Sequence, residues 1–146
     1  MNKPSERAAI VATIDPDAYT AAAYTSDWAP VKDFHQFMAV ALAGTLGSSA
    51  LLDFKIQQAT DASGTSAKDI TGKVATRLTQ AGTDSDKQAI INFNANDLDE
   101  VNDFTHVAMV MTLADATSDM GAVMFGFSPR YGPASDYDLA SVDEIV

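Results

Sequence analysis

The stretch Leu51-Leu52-Asp53-Phe54-Lys55-Ile56-Gln57-Gln58-Ala59-Thr60 decides the fold class. Apolar side chains at positions 52, 54 and 56 alternate with polar side chains at positions 53, 55 and 57. A period of two places the two sets on opposite sides of an extended backbone, so the stretch predicts a strand with one buried face. Residues 61–66 are short, polar and turn-forming, and they predict an exposed loop after this strand.

The same alternation recurs along the chain. Residues 70–79, 89–94 and 104–113 alternate, and residues 122–127 form a further strong strand candidate. The segment 104–113 has a second face that is not very polar, which predicts a central strand covered on both sides. Six to eight short strands, separated by turn-forming segments and without a long helix, predict an all-β fold: an antiparallel β-sandwich or jelly roll.

Two segments near the N-terminus are less regular. Residues 31–46 fit helical and strand spacing equally well, and a strand is favoured because glycines follow closely. Residues 1–33 show little pattern, since a short strand over Ala8 to Ile14 should end at Asp15-Pro16-Asp17, where proline lacks the amide hydrogen that strand pairing needs. We therefore predict an N-terminal arm, residues 1–30, and a single β-sandwich domain, residues 31–146.

Composition and charge argue against several classes of partner. The 146 residues carry a formal net charge of −11, and their cations are scattered along the sequence, so binding to nucleic acid is not expected. The longest weakly polar run is shorter than a membrane helix, the N-terminus does not resemble a signal peptide, and the lack of cysteine excludes disulfides and thiolate metal sites. We expect a soluble protein that does not bind membranes.

No pattern of catalytic residues is found in the sequence. The two histidines, His35 and His106, are far apart in the chain. Asp97, Asp99 and Asp103 invite a calcium interpretation, but the surrounding residues depart from an EF-hand loop at three positions, and an ordinary acidic turn is favoured. The sequence therefore predicts a non-enzymatic protein without catalytic residues, cofactor or metal.

Three large aromatic side chains, Tyr19, Tyr24 and Trp28, lie in a segment with few aliphatic residues of its own. Rings of this size need an apolar surface to lie on. The sequence leaves two such surfaces open: the core of the same chain or a neighbouring subunit.

Four strings carry a resemblance to a known class of proteins: KIQQATDASGTSAKDITGK at residues 55–73, TQAG at 79–82, FTHV at 104–107 and GFSPRYGPA at 126–134. Together they resemble small virion proteins of tailed bacteriophages and phage-like particles, over most of the chain from about Tyr24. Within that class the chain is most similar to capsid decoration or cement proteins.

This resemblance implies a trimeric β-sandwich or jelly-roll module on the outer surface of the capsid, made in the cytoplasm of the bacterial host. The implied partner is the major capsid protein lattice, with neither active site nor cofactor. We then expect Tyr19, Tyr24 and Trp28, together with the loop around Arg130 and Tyr131, to contribute contacts between subunits or with the capsid. Removal of residues 1–28 should weaken capsid binding and leave the β-fold intact.

Two alternative functions stay open from the sequence. A head–tail connector or tail component would also be a small β-rich virion protein, but it should assemble into rings of six or more copies. A carbohydrate-binding jelly-roll module or a small β-sandwich enzyme should instead gain stability with its ligand. The oligomeric mass in solution separates these alternatives from a trimeric decoration protein.

Overall fold

The computed structural model describes residues 3–146, which fold into ten strands and four short 3-10 turns. The strands are β1 (Ala8–Tyr19), β2 (Ala23–Thr25), β3 (Ala29–Pro30), β4 (Phe34–Ala43), β5 (Leu51–Ala59), β6 (Lys68–Val74), β7 (Leu78–Thr79), β8 (Gln88–Asn94), β9 (His106–Ala114) and β10 (Ser118–Pro129). The 3-10 turns are Pro4–Glu6, Ala95–Asp97, Glu100–Asn102 and Ala134–Tyr137.

The strands form two antiparallel sheets with nested pairing. The first sheet has the order β1-β10-β4-β8, and we call it sheet A. In the second, sheet B, β9 lies between β5 and the short strands β2 and β3, and β5 in turn pairs with β6 and β7. In sheet A, β1 thus pairs with β10, β10 with β4 and β4 with β8. In sheet B, β2 pairs with β9 and β9 with β5. This strand order is that of a jelly roll. The predicted fold class is confirmed.

The core lies between the two sheets. Leu52, Phe54 and Ile56 of β5 are buried, as the alternation of the opening stretch predicts. On the opposite side of the core, in sheet A, the rings of Phe37 in β4 and Phe93 in β8 stack on each other with their centroids 5.1 Å apart. Each fully buried side chain of this size contributes about 1.5–3 kcal/mol to folding, so these strands fix the register of both sheets.

Strand β9 is central in sheet B and is covered on both faces. Met109 and Met111 point into the core, while Ala108 and Val110 on the opposite face are also buried. The prediction that residues 104–113 form a central, doubly covered strand is therefore confirmed. The predicted strand over residues 70–79 is instead divided into β6 and β7 by residues 75–77.

The N-terminal residues belong to the sheets, which corrects the sequence interpretation. Strand β1 continues through Asp15-Pro16-Asp17, because the pairing register with β10 shifts between Ile14 and Asp17 and the intervening residues form a bulge. A bulge on an edge strand tolerates proline, since one side of the strand has no pairing partner. Residues 8–30 contribute strands to both sheets, so the pairing does not follow the predicted division between an arm, 1–30, and a body, 31–146.

Deleting residues 1–28 should therefore unfold the protein rather than leave the β-fold intact. The deletion removes β1 and β2 together with the buried side chains of Ala9, Ala12 and Ile14. It also exposes the edge of β10. We expect the truncated chain to lose its cooperative thermal transition in circular dichroism, and a transition like that of the full chain would contradict the assignment of β1 to the sheet.

A close packing contact in β10 gives a second test of the fold. A Cβ atom at Gly126 would lie 2.5 Å from the ring of Phe34, and that ring is itself held against Phe37 and Tyr137. We expect Gly126→Ala to lower the free energy of unfolding by about 1–3 kcal/mol in urea denaturation. The loss should be smaller when Phe34→Leu is present in the same chain, and an equal loss in both backgrounds would contradict this steric explanation.

Candidate interaction surface

The outward face of sheet A is lined by apolar side chains. Directly opposed residues of antiparallel strands share a face, and the register places Ile10, Phe125 and Met38 in one row, which Asn92 ends, and Val123, Val40 and Ile90 in the next, which begins with Thr13. We call this surface the apolar face. Its members are Ile10, Met38, Val40, Leu42, Ile90, Val123, Phe125 and Phe127.

These side chains keep contact with solvent. Leu42 is 45% exposed and Ile90 58% exposed, and the other members are half-buried among their neighbours. Four strands about 4.8 Å apart, with rows spanning six residues at about 3.3 Å each, give this face of the sheet an area of roughly 300–400 Å², and the apolar side chains cover part of it. The largest apolar patch on a typical monomer is of this order and is often functional.

The outward face of sheet B is polar by contrast. Lys55 contacts Asp69 at 2.8 Å, and the Arg77 guanidinium donates two hydrogen bonds, of 2.9 and 2.8 Å, to the carboxylate of Asp53. The hydrogen bond from Lys55 lowers the pKa of the Asp69 carboxyl. The hydrogen bonding between Arg77 and Asp53 raises the pKa of Arg77. A face covered by ion pairs is suited to solvent, so the two sides of the sandwich differ in what they can bind.

A groove lies at one end of the apolar face, beside the bulge of β1. Its volume is about 710 Å³. Leu42, Gly121 and Val123 line the groove, together with three aspartates. We call it the acidic groove, and its three carboxylates are those of Asp15, Asp17 and Asp119.

Glycine at position 121 lets the bulge pass close to β10. A Cβ atom there would lie 3.0 Å from the Cα atom of Pro16 and 3.2 Å from the carbonyl oxygen of Ile14. A larger residue would require the bulge to shift by a few tenths of an ångström. Gly121 therefore sets the shape of the acidic groove.

The carboxylates of the acidic groove have no cationic partner within residues 3–146. Asp15 accepts a hydrogen bond from the Thr13 hydroxyl at 3.3 Å, and Asp17 accepts one from the amide of Ala18 at 2.7 Å. The pKa of the nearby Tyr19 hydroxyl is raised, first by desolvation and then by the negative charges of Asp15 and Asp17. The groove therefore favours a cationic ligand.

Two of the predicted contact residues, Tyr19 and Tyr24, lie together near the end of β1. Their ring centroids are 4.4 Å apart, and both rings pack against the core. Their hydroxyls donate hydrogen bonds to the carbonyls of Asp15 and Thr20. The core of the same chain thus supplies an apolar surface for both rings, and their contact with a partner stays a prediction.

Trp28 occupies a different place, between β2 and β3. It is half-buried, and its indole packs so closely on the loop after β5 that a Cβ atom at Gly64 would lie 2.6 Å from Nε1. Trp28 therefore covers a loop of its own chain. Its predicted role in a subunit contact is untested.

Arg130 and Tyr131 follow β10 at the other end of sheet A. Tyr19 pairs with Ser118 at the start of that strand, so roughly 36 Å of extended chain separates the two groups of predicted contact residues. Tyr131 is 67% exposed, and Arg130 Nε donates one long hydrogen bond, 3.4 Å, to the carbonyl of Phe34. The fold does not bring the five predicted residues into one surface.

The sequence analysis did not identify the apolar face. A signal for it exists in residues 37–43 and 122–127, where apolar side chains occupy consecutive positions instead of alternating with polar ones. Such runs are typical of strands covered on both faces. Within residues 3–146 no second layer covers the outward face of sheet A.

The acidic turn and the histidines offer no alternative site. The carboxylate of Asp99 contacts Lys68 and accepts a hydrogen bond from Asn102, and that of Asp97 accepts one from the amide of Asn94. Within residues 3–146 no group of three or more metal-ligating side chains comes together. The same part of the chain contains no helix long and apolar enough to cross a membrane.

Comparison with known proteins identifies the fold. No protein-family model and no curated protein matches the sequence. A chain in the structure of broad bean stain virus is similar to this one, with a TM-score of 0.50 and 13% identity over 88% of each chain. Chains of infectious bursal disease virus, Gt and Gx strains, give TM-scores of 0.43 and 0.41, at 13% and 11% identity, over 90% of this chain and 34% of theirs. The first similarity shows a shared fold.

The ion pair between Lys55 and Asp69 predicts a pH dependence. The folded pKa of Asp69 lies below its ordinary value of 3.8, so the pair stabilises the fold fully above about pH 4 and stops doing so as the pH falls through the folded pKa. We expect Asp69→Asn to be less stable than the natural chain at pH 7, by a difference that shrinks as the pH falls through the folded pKa. Urea denaturation over a series of pH values from 7 downwards measures this, and a difference that does not shrink with falling pH would contradict it.

Proposed function

We propose that this chain is a non-enzymatic structural protein of a virus particle, and more specifically a capsid decoration or cement protein of a tailed bacteriophage or phage-like particle. In this role it binds as a homotrimer to the outer surface of the major capsid protein lattice and stabilises the mature head. The observation that carries the proposal is an apolar, solvent-exposed sheet face on a jelly roll.

The fold and the sequence support different parts of this proposal. The jelly roll is an architecture used by viral capsid proteins, and a chain in the structure of broad bean stain virus shares the fold. The strings in residues 55–73, 104–107 and 126–134 resemble tailed-phage virion proteins. The fold supports a part in a virus particle, and the resemblance supports decoration of a phage capsid.

The apolar face provides the free energy for attachment. Each Å² of accessible apolar surface that the contact buries contributes about 25 cal/mol, before the cost of association is subtracted. One such contact is weak or moderate alone. Three copies held in one trimer bind with avidity, and a trimer that prefers the expanded lattice stabilises that state.

The charge distribution supports a position outside the shell. A net charge of −11 would repel the packaged genome, whereas an outer position separates the protein from that polyanion. The ion-paired outward face of sheet B is suited to solvent, while the apolar face is suited to the lattice.

A pair of matched substitutions tests the proposal. Ile90→Asp places a charge on the apolar face, and Val74→Asp places the same charge on an equally exposed residue of sheet B, since the two side chains are 58% and 62% exposed. We expect both variants to fold, and only Ile90→Asp to lose binding to expanded, undecorated shells of the corresponding capsid protein, by at least tenfold. Co-sedimentation with the shells measures the binding.

The outcome also separates the alternatives. Failure of the natural chain to bind shells would contradict the proposal, as would equal binding by both variants. A ring of six or more copies in solution would favour a connector or tail component. A rise in melting temperature on addition of sugars would favour a carbohydrate-binding module.

A further inference from the structure

We propose that the acidic groove of one copy binds the Arg130–Tyr131 segment of a second copy, so that the subunits associate head to tail. This inference deepens the proposed function, since it rests on the homotrimer and identifies the contact that closes it. It commits to a second copy of this chain as the occupant of the groove.

The groove has the chemistry to hold a cation beside an apolar group. Three aspartates that form no ion pair within residues 3–146 line the groove together with Leu42 and Val123, in a volume of about 710 Å³. This volume lies within the range of specific binding clefts, about 300–1,000 Å³. An arginine presents an apolar stem and a charged head, and an adjacent tyrosine adds a flat ring for the apolar side chains.

The inventory of cations indicates where the matching charge comes from. The chain has nine Lys and Arg residues, and within residues 3–146 five of them form ion pairs with its own carboxylates. The remaining four precede β1, precede β4 or follow β10: Lys3, Arg7, Lys32 and Arg130. The pairs Ala8 with Phe127 and Phe34 with Pro129 place all of these positions at one end of the sandwich.

Arg130 is the cation among these four that an exposed aromatic residue directly follows. Among the described residues its guanidinium makes one long hydrogen bond, and the Tyr131 side chain is 67% exposed. The backbone beyond it passes through Gly132, at φ +62°, to Pro133, whose ring fixes its own φ. The segment therefore presents a cation and a ring together.

The geometry makes this contact intermolecular. The acidic groove lies at the start of β10 and the Arg130–Tyr131 segment follows its end, so the two cannot meet within one molecule. A head-to-tail contact of this kind closes into a ring when the rotation between subunits permits. The groove shares Leu42 and Val123 with the apolar face, so a ring covers that end of the face and leaves the remainder for the lattice.

The test is sedimentation equilibrium of the full chain and three variants. The groove variant is Asp15→Asn with Asp17→Asn and Asp119→Asn, the tip variant is Arg130→Gln with Tyr131→Ser, and the control is Arg7→Gln with Lys32→Gln. The natural chain and the control should be trimers, and the other two should associate about thirtyfold or more weakly. Unchanged thermal transitions confirm folding, and Leu42→Gln replaces the groove variant should that chain unfold.

Mixing the two defective variants gives a sharper result. The tip variant retains an intact groove and the groove variant an intact tip, so one joint can form between them and the ring cannot close. We expect a one-to-one pair in the mixture. A natural chain that is a monomer or dimer, a groove or tip variant that stays trimeric, a control that dissociates equally, or a mixture that forms no pair would each overturn the proposal.

Shell binding separates this inference from the proposed function. If the groove and tip variants dissociate as expected but the natural trimer does not bind undecorated shells, the head-to-tail contact stands and the decoration role fails. If the natural chain binds shells and its trimer is unaffected by either variant, the decoration role stands and the contact fails.

Discussion

The pairing of β1 with β10 is the constraint on which the rest of the structure depends. It joins residues more than one hundred positions apart, from Ala8 opposite Phe127 to Tyr19 opposite Ser118. This pairing closes the jelly roll, and the further pairing of β10 with β4 completes the outward apolar face of sheet A. The bulge between β1 and β10 lies beside the acidic groove. Both candidate binding surfaces therefore include residues that the meeting of β1 and β10 brings together.

The two outward faces of this negatively charged molecule differ in how they carry charge. Sheet B carries cations that neutralise neighbouring carboxylates, as in the pairs of Lys55 with Asp69 and Arg77 with Asp53. Sheet A carries almost no charge between its two ends. Binding through the apolar face depends on the apolar surface that is buried and little on the salt concentration. A contact in the acidic groove should instead weaken as the ionic strength rises.

Local pattern was sufficient where one face of a strand is buried. The alternation in residues 51–60 predicted β5 and its buried side chains, and the doubly apolar run in residues 104–113 predicted the central position of β9. Local pattern failed at Asp15-Pro16-Asp17, because the strand there is continued by pairing with β10 and by a bulge that no short-range signal specifies. It also failed to show that the four cations that form no ion pair within residues 3–146 lie at one end of the sandwich.

The sequence by itself determined the all-β class, most of the strands and the acidic character of the protein, because hydrophobic periodicity and charge are properties of neighbouring residues. Only the tertiary structure decided which strands pair, which face of sheet A stays uncovered and which carboxylates line a groove with apolar walls. Those features depend on contacts between residues distant in the chain. A run of apolar residues has the same sequence pattern whether the second face of its strand is covered by another layer or left open. The fold shows that the second face of β4 and β10 is left open.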